Sequence, residues 1–198
     1  MTATGLELHD LALTTARSAV ELVRGGAERG VTVAATKSSD VDVVTETDRS
    51  VEQHIRDALL AARPDDAVVG EEGDDEPGTS GVRWIVDPID GTVNFLYGIP
   101  QYAVSIAAEL DGTVVAGVVV NAATGVEWTA YTETDGSLVG RRDGQPIDVR
   151  PTVALGQMLV GTGFSYLPEQ RELQAAQLLR LLPRIRDIRR FEIGRAHV

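Results

Sequence analysis

Trp84-Ile85-Val86-Asp87-Pro88-Ile89-Asp90-Gly91-Thr92-Val93-Asn94-Phe95 is the stretch whose reading decides the fold. Three apolar residues of buried-strand type run into two carboxylates three positions apart, and Gly91-Thr92 follows where a helix can begin. The expected local structure is a strand feeding a charged turn. Pro88 has no N–H and a fixed φ, so it breaks the ladder after Asp87, stiffens the turn and leaves the Ile89 carbonyl free to point elsewhere. A rigid turn of this kind presents two carboxylates and a carbonyl to one hard cation. The backbone N–H groups of Gly91 and Thr92, at a helix start, suit a phosphate. An ordinary reading stands beside this one, because Asp next to Pro and Gly mostly caps helices and solvates turns.

Upstream of this stretch, Leu8, Leu11, Ala12, Ala16, Val20 and Val23 recur at helical spacing, and Gly25-Gly26 reads as a stop, which predicts a helix over 6–24. Val41, Val43 and Thr45 alternate with Asp42, Val44 and Glu46 as in a short strand. A second helix is expected over 48–62, with Val51, Ile55, Ala58, Leu59 and Ala62 on one face and Arg63-Pro64 ending it. On composition Asp48 reads as an N-cap or first-turn charge favoured by the helix dipole. Ala67-Val68-Val69 is a short strand that runs into Gly70-Glu71-Glu72-Gly73 and a solvated acidic loop. An EF-hand reading of that loop fails on ligand spacing.

Downstream, β-type runs over 103–110, 113–120, 126–131, 137–139 and 147–149 are separated by Asp-Gly and Thr-Gly pairs suited to tight antiparallel hairpins. Such a meander is expected to pack one face on the upstream helices. A strand over 158–163 leads to a helix over 168–182, whose buried face is expected from Leu173, Ala176, Leu179 and Leu182. A basic segment follows over 184–190.

Composition narrows the partners. The 198 residues carry a net charge of −12, which disfavours nucleic acid and anionic membranes. A phosphate ligand is anionic too, so bound cations would have to reverse the local field. There is no cysteine, hence neither a disulfide framework nor a zinc-thiolate site, and neither a signal sequence nor a membrane-spanning run is evident; a cytoplasmic protein is the expectation.

The string Asp-Pro-Ile-Asp-Gly-Thr, with Asn94 and Phe95 behind it, resembles the signature of the inositol monophosphatase family, magnesium-dependent and lithium-sensitive phosphomonoesterases. Two weaker matches support it: the Asp42 to Asp48 string behind Lys37, and Gly-Glu-Glu at 70–72. The resemblance implies an α+β fold, a layered αβαβα sandwich with an antiparallel N-terminal sheet and an incomplete C-terminal α/β part. It divides the chain into an N-terminal α+β metal-binding region, 1–150, and the start of a C-terminal α/β region, 151–191. It implies Mg2+ as cofactor, held by Glu71, Asp87, the Ile89 carbonyl and Asp90. Asp48 and Thr92, with Glu71, take the catalytic roles: Asp48 accepts from the Thr92 hydroxyl, and the pair orients and deprotonates a metal-bound water. Gly91 and Thr92 hold the phosphate, and Lys37 is an accessory charge. The implied reaction is hydrolysis of inositol monophosphate or of a related ester: histidinol phosphate, a sugar bisphosphate or a nucleotide 3′-phosphate. Family members are often dimers, so a homodimer is also implied.

The family's later substrate-contacting segment and its further metal carboxylate have no counterpart after Arg190. The tail 192–198 admits a back-translation, GAGATCGGAAGAGCACACGTC, that contains a sequencing-adapter sequence. Truncation with an artefactual tail is therefore the expectation, with impaired activity. The competing reading is a catalytically inactive metal-binding or dimerising fragment.

Overall fold

The computed structural model describes residues 3–30, 33–36, 43–71, 73 and 75–190. Lys37, Asp42, Glu72 and the 192–198 tail lie outside the described residues.

The first helix, α1 (Gly5–Arg29), starts on a capping box. The Glu7 backbone N–H donates to Thr4 Oγ1 at 3.2 Å, and the Thr4 N–H donates to Glu7 Oε2 at 2.9 Å. Gly25-Gly26 does not end it, contrary to the sequence expectation; the helix runs on to Gly30, where φ is +90°. Gly26 serves a packing purpose instead, since a Cβ there would come within 2.6 Å of Thr47 at the start of the second helix. Two short strands, β1 (Val33–Thr36) and β2 (Val43–Thr45), pair antiparallel, and β2 leads directly into α2 (Glu46–Ala62).

The main sheet has seven strands in the order β3 (Ala67–Gly70), β4 (Val82–Asp90), β5 (Ala103–Leu110), β6 (Thr113–Asn121), β7 (Glu127–Thr132), β8 (Leu138–Arg142) and β9 (Gln145–Pro146). From β4 onward it is the expected antiparallel meander. Asp111-Gly112 and Asp143-Gly144 take positive φ at both positions, as two-residue hairpin turns require to match strand twist. Two expectations need correction. β3 pairs parallel with β4, because residues 71–81 carry the chain back along the sheet before β4 begins. The run at 147–149 is not a strand: pairing ends at Pro146, although the Ile147 N–H still donates to the Gly140 carbonyl at 3.1 Å.

One face of this sheet meets α1 and α2. Trp84, Val104, Ile106 and Val118 pack there against Leu8, Val23, Ile55 and Leu59, all fully buried. The indole N–H of Trp84 donates to Asp66 Oδ2 at 2.9 Å, and Ser80 Oγ donates to the other oxygen at 2.6 Å, so the one polar atom of the largest core residue is satisfied.

The remaining chain forms a β-α-β unit: β10 (Leu159–Thr162), α4 (Pro168–Leu181) and β11 (Asp187–Arg190), with β10 and β11 parallel. The buried face predicted for α4 is not observed. Leu173, Leu179 and Leu182 are 61%, 75% and 44% exposed. Residues three apart drift about 60° around a helix at each step, so four of them spread over about half the circumference and form no stripe. The half-covered positions are Gln174, Leu178 and Leu181, at true helical spacing. Among the described residues no helix is long and apolar enough to cross a membrane.

Candidate active site

Strand β4 carries the chain from the core to the site. Its register with β5 aligns Asp87 with Ser105 and Asp90 with Ala103, so Pro88 and Ile89 together face Val104 alone. Pro88 does interrupt the ladder, but as a bulge within a continuing strand. The bulge leaves Asp87 and Asp90 both nearly buried, at 9% and 7% exposure. Gly91 then turns the chain in the left-handed conformation, φ +94°. A side chain is excluded twice there, by that φ and by the Gln101 carbonyl, which lies 2.9 Å from where a Cβ would sit.

A short helix follows, α3 (Thr92–Leu96). Asn94 Nδ2 donates to the Gln101 carbonyl at 2.8 Å and ties this turn to the chain entering β5. The Phe95 and Tyr102 rings meet edge to face, 5.1 Å between centroids, and close the site on its core side.

Asp48 comes to the same place from α2. It occupies the third position of that helix, not the N-cap, which is Thr45. Its Oδ2 accepts from the Thr45 backbone N–H at 2.8 Å and from the Thr45 hydroxyl in a short hydrogen bond, while its own N–H donates to Thr45 Oγ1 at 3.2 Å. Its other oxygen, Oδ1, lies 3.2 Å from Thr92 Oγ1. The capping and site readings of Asp48 are therefore compatible: one oxygen does each. The Thr92 hydroxyl has a single proton to share between Asp48 Oδ1 and the Ile89 carbonyl, 3.0 Å away. The Ile89 carbonyl is thus turned toward Thr92.

Glu71 follows β3 directly. The parallel register pairs Gly70 with Val86, so the next residues along, Glu71 and Asp87, emerge from neighbouring strands at the same end of the sheet. Glu71 is exposed, however, and among the described residues no three acidic or histidine side chains come together as a metal cage. The donors that the turn does present are all oxygens, two of them carboxylates with little exposure, a set that suits a hard divalent cation and no soft one. Thr45 and Gln101 belong to this site and were not singled out from sequence. The Thr-x-x-Asp spacing of a capping box was available for the first; nothing local marks the second.

The sequence profile of the Inositol monophosphatase family matches residues 6–198. The chain belongs to that family. It is 41% identical over 160 residues to the inositol-1-monophosphatase SuhB of Mycobacterium tuberculosis, covering 78% of this chain and 55% of that protein. A histidinol-phosphatase of Chlorobaculum parvum is 50% identical over 76 residues, 38% of this chain and 29% of that one. The crystal structure of the extragenic suppressor protein SuhB from Bartonella henselae superposes with a TM-score of 0.84 at 30% identity, covering 94% of this chain and 70% of that one. The α+β layered fold is thereby that of the family, and the chain spans about half the length of the Mycobacterium relative.

Proposed function

We propose that this chain belongs to a magnesium-dependent phosphomonoesterase that hydrolyses inositol monophosphate or a closely related small phosphate ester. The observation that carries the reading is the Thr92 Oγ1 to Asp48 Oδ1 contact of 3.2 Å, which joins the first turn of α2 to the residue just beyond the Asp87–Asp90 bulge. Asp87, Asp90 and the Ile89 carbonyl would hold Mg2+, with Glu71 arriving from the neighbouring strand end. The bound cation would neutralise the phosphate and lower the pKa of a water. Asp48, anchored by Thr45, accepts the Thr92 proton, and the Thr92 oxygen is then left to accept from the attacking water and aim it. Gly91 and Thr92 N–H groups would hold the phosphate. Attack is in line, without a covalent intermediate. Lys37 adds positive charge. Lithium sensitivity and a homodimer accompany this reading by family resemblance, and a cytoplasmic location by the composition of the sequence.

The similarity to a histidinol-phosphatase keeps that ester on the substrate panel, and the family resemblance keeps a sugar bisphosphate and a nucleotide 3′-phosphate there. A second reading is metal binding without turnover, which the oxygen donors of the Asp87–Asp90 turn would support by themselves. Phosphate release from that panel, with Mg2+ and with or without Li+, separates the two. The phosphatase reading expects Mg2+-dependent release that Thr92→Val or Asp48→Asn lowers by about 10²- to 10⁴-fold in kcat. Calorimetric Mg2+ binding with no release from any ester, even when the family's C-terminal segment is supplied, supports the second reading and sinks the first.

A further inference from the structure

The stripe of α2 that begins with Asp48 continues, at helical spacing, through Glu52 and Arg56. Both are nearly buried, at 2% and 7% exposure, and Arg56 Nε donates to Glu52 Oε1 at 3.0 Å. A buried ion pair is poor evidence of added stability, so its place in the fold needs another account. The turn after β3 lies directly on it. A Cβ at Gly70 would collide with both Glu52 Oε1 and Arg56 Nη2, and a Cβ at Gly73 would lie 2.8 Å from the first and 3.3 Å from the second. The two glycines bracket Glu71. Arg56 Nη1 also reaches the Val68 carbonyl of β3, a long contact of 3.5 Å, and among the described residues Nη2 has no hydrogen-bond partner. A cleft of about 360 Å³ is lined in part by Arg49, Glu52, Arg56, Gly73 and Glu76.

From these contacts we infer that Glu52 and Arg56 are positioning residues, a buried charged seat on α2 that fixes Gly70 and Gly73 on either side of Glu71 and thereby holds Glu71 in place to bind the cation. The inference rests on the proposed role of Glu71. One helix would then set both halves of the site: Asp48 on its first turn, and the Glu71 turn one and two turns further along. A side chain at 70 or 73 would have to push the ends of Glu52 and Arg56 out of the buried pair.

Two perturbations reach the seat without leaving a buried charge alone. Gly73→Ala lifts the turn off the pair from outside, and the combined Glu52→Gln and Arg56→Gln replacement keeps a hydrogen-bonding pair while removing both charges. Amide hydrogen exchange over residues 69–76 in the metal-free protein, and Mg2+ affinity by calorimetry, are measured for each alongside Glu71→Gln. The seat predicts faster exchange confined to that turn and a Kd for Mg2+ raised about tenfold, the usual size of an outer-shell effect. Glu71→Gln should weaken Mg2+ binding without speeding exchange, and adding Gly73→Ala to it should cost nothing more. If Glu71→Gln weakens Mg2+ binding but neither perturbation of the seat does, the inference is overturned and the ligand reading stands. If Glu71→Gln leaves Mg2+ binding unchanged, both fall together.

Discussion

Helices α1 and α4 are both rich in leucine, alanine and charge, yet they have opposite fates. In α1, Leu8, Ala12, Ala16, Ala19 and Val23 follow the helical repeat and are fully buried against β5, β6 and α2. In α4 no residue is buried. The difference lies in phase and in layering, not in hydrophobic content. The α1 stripe keeps to one side of the helix and faces a sheet already closed by hairpins, whereas the α4 leucines wind around theirs, in a unit whose described residues form a two-stranded sheet. Stability should therefore be distributed unevenly, concentrated where the helices cover the seven-stranded sheet.

The largest test of that asymmetry pairs Trp84→Ala with Leu179→Ala. Trp84 is fully buried, so its truncation should cost about 3–5 kcal/mol in denaturant unfolding. Leu179 is 75% exposed and its truncation should stay within about 0.5 kcal/mol. A Leu179→Ala cost approaching that of Trp84→Ala would mean that the α4 face is covered in solution, and the contrast would be broken. A smaller effect is expected from glycines. Gly91→Ala must take φ +94° with its Cβ 2.9 Å from the Gln101 carbonyl, and should cost about 1–3 kcal/mol. Gly163→Ala meets nothing within 4 Å and should change stability by no more than about 0.5 kcal/mol in either direction. Equal costs at the two positions would count against a strained turn at the site.

What could be read from sequence follows the same division. The meander was legible because Asp-Gly turns and alternating strands are local signals, and the Asp87–Asp90 turn because proline and glycine leave few conformations open. Whatever depends on distant chain was not. The parallel β3–β4 pairing that brings Glu71 and Asp87 to one end of the sheet arises from the path of residues 71–81, which no periodicity encodes. Gly26 looked like a stop because its reason, the approach of Thr47, comes from another helix. Glu52 and Arg56 stand at the i, i+4 spacing ordinary for exposed helix pairs, yet the pair is buried, with Gly70 and Gly73 close against it.

The smallest expected effect concerns how each region uses its ion pairs. Arg17 on α1 grips Glu127 on β7 through two parallel hydrogen bonds, 2.7 and 2.8 Å, and so ties helix to sheet. In the C-terminal unit, Asp187 pairs with Arg189 two residues away in the same strand, which ties nothing together. The Arg17 hydrogen bond holds the Glu127 carboxyl below its ordinary value. A lowered folded-state pKa stabilises above the unfolded value, and that contribution is lost as pH falls through the folded one. Because the Arg17 side chain is 58% exposed, solvent screening limits the pair to about 0.2–1 kcal/mol. Unfolding of Glu127→Gln and of the parent chain should therefore differ by that amount near neutral pH and converge in acid once pH falls below the lowered folded-state pKa, where the carboxyl is protonated in both states. Asp187→Asn should leave the midpoint unchanged at either pH. A Glu127→Gln deficit that persists in acid would show that the side chain contributes packing rather than charge to the link between α1 and β7.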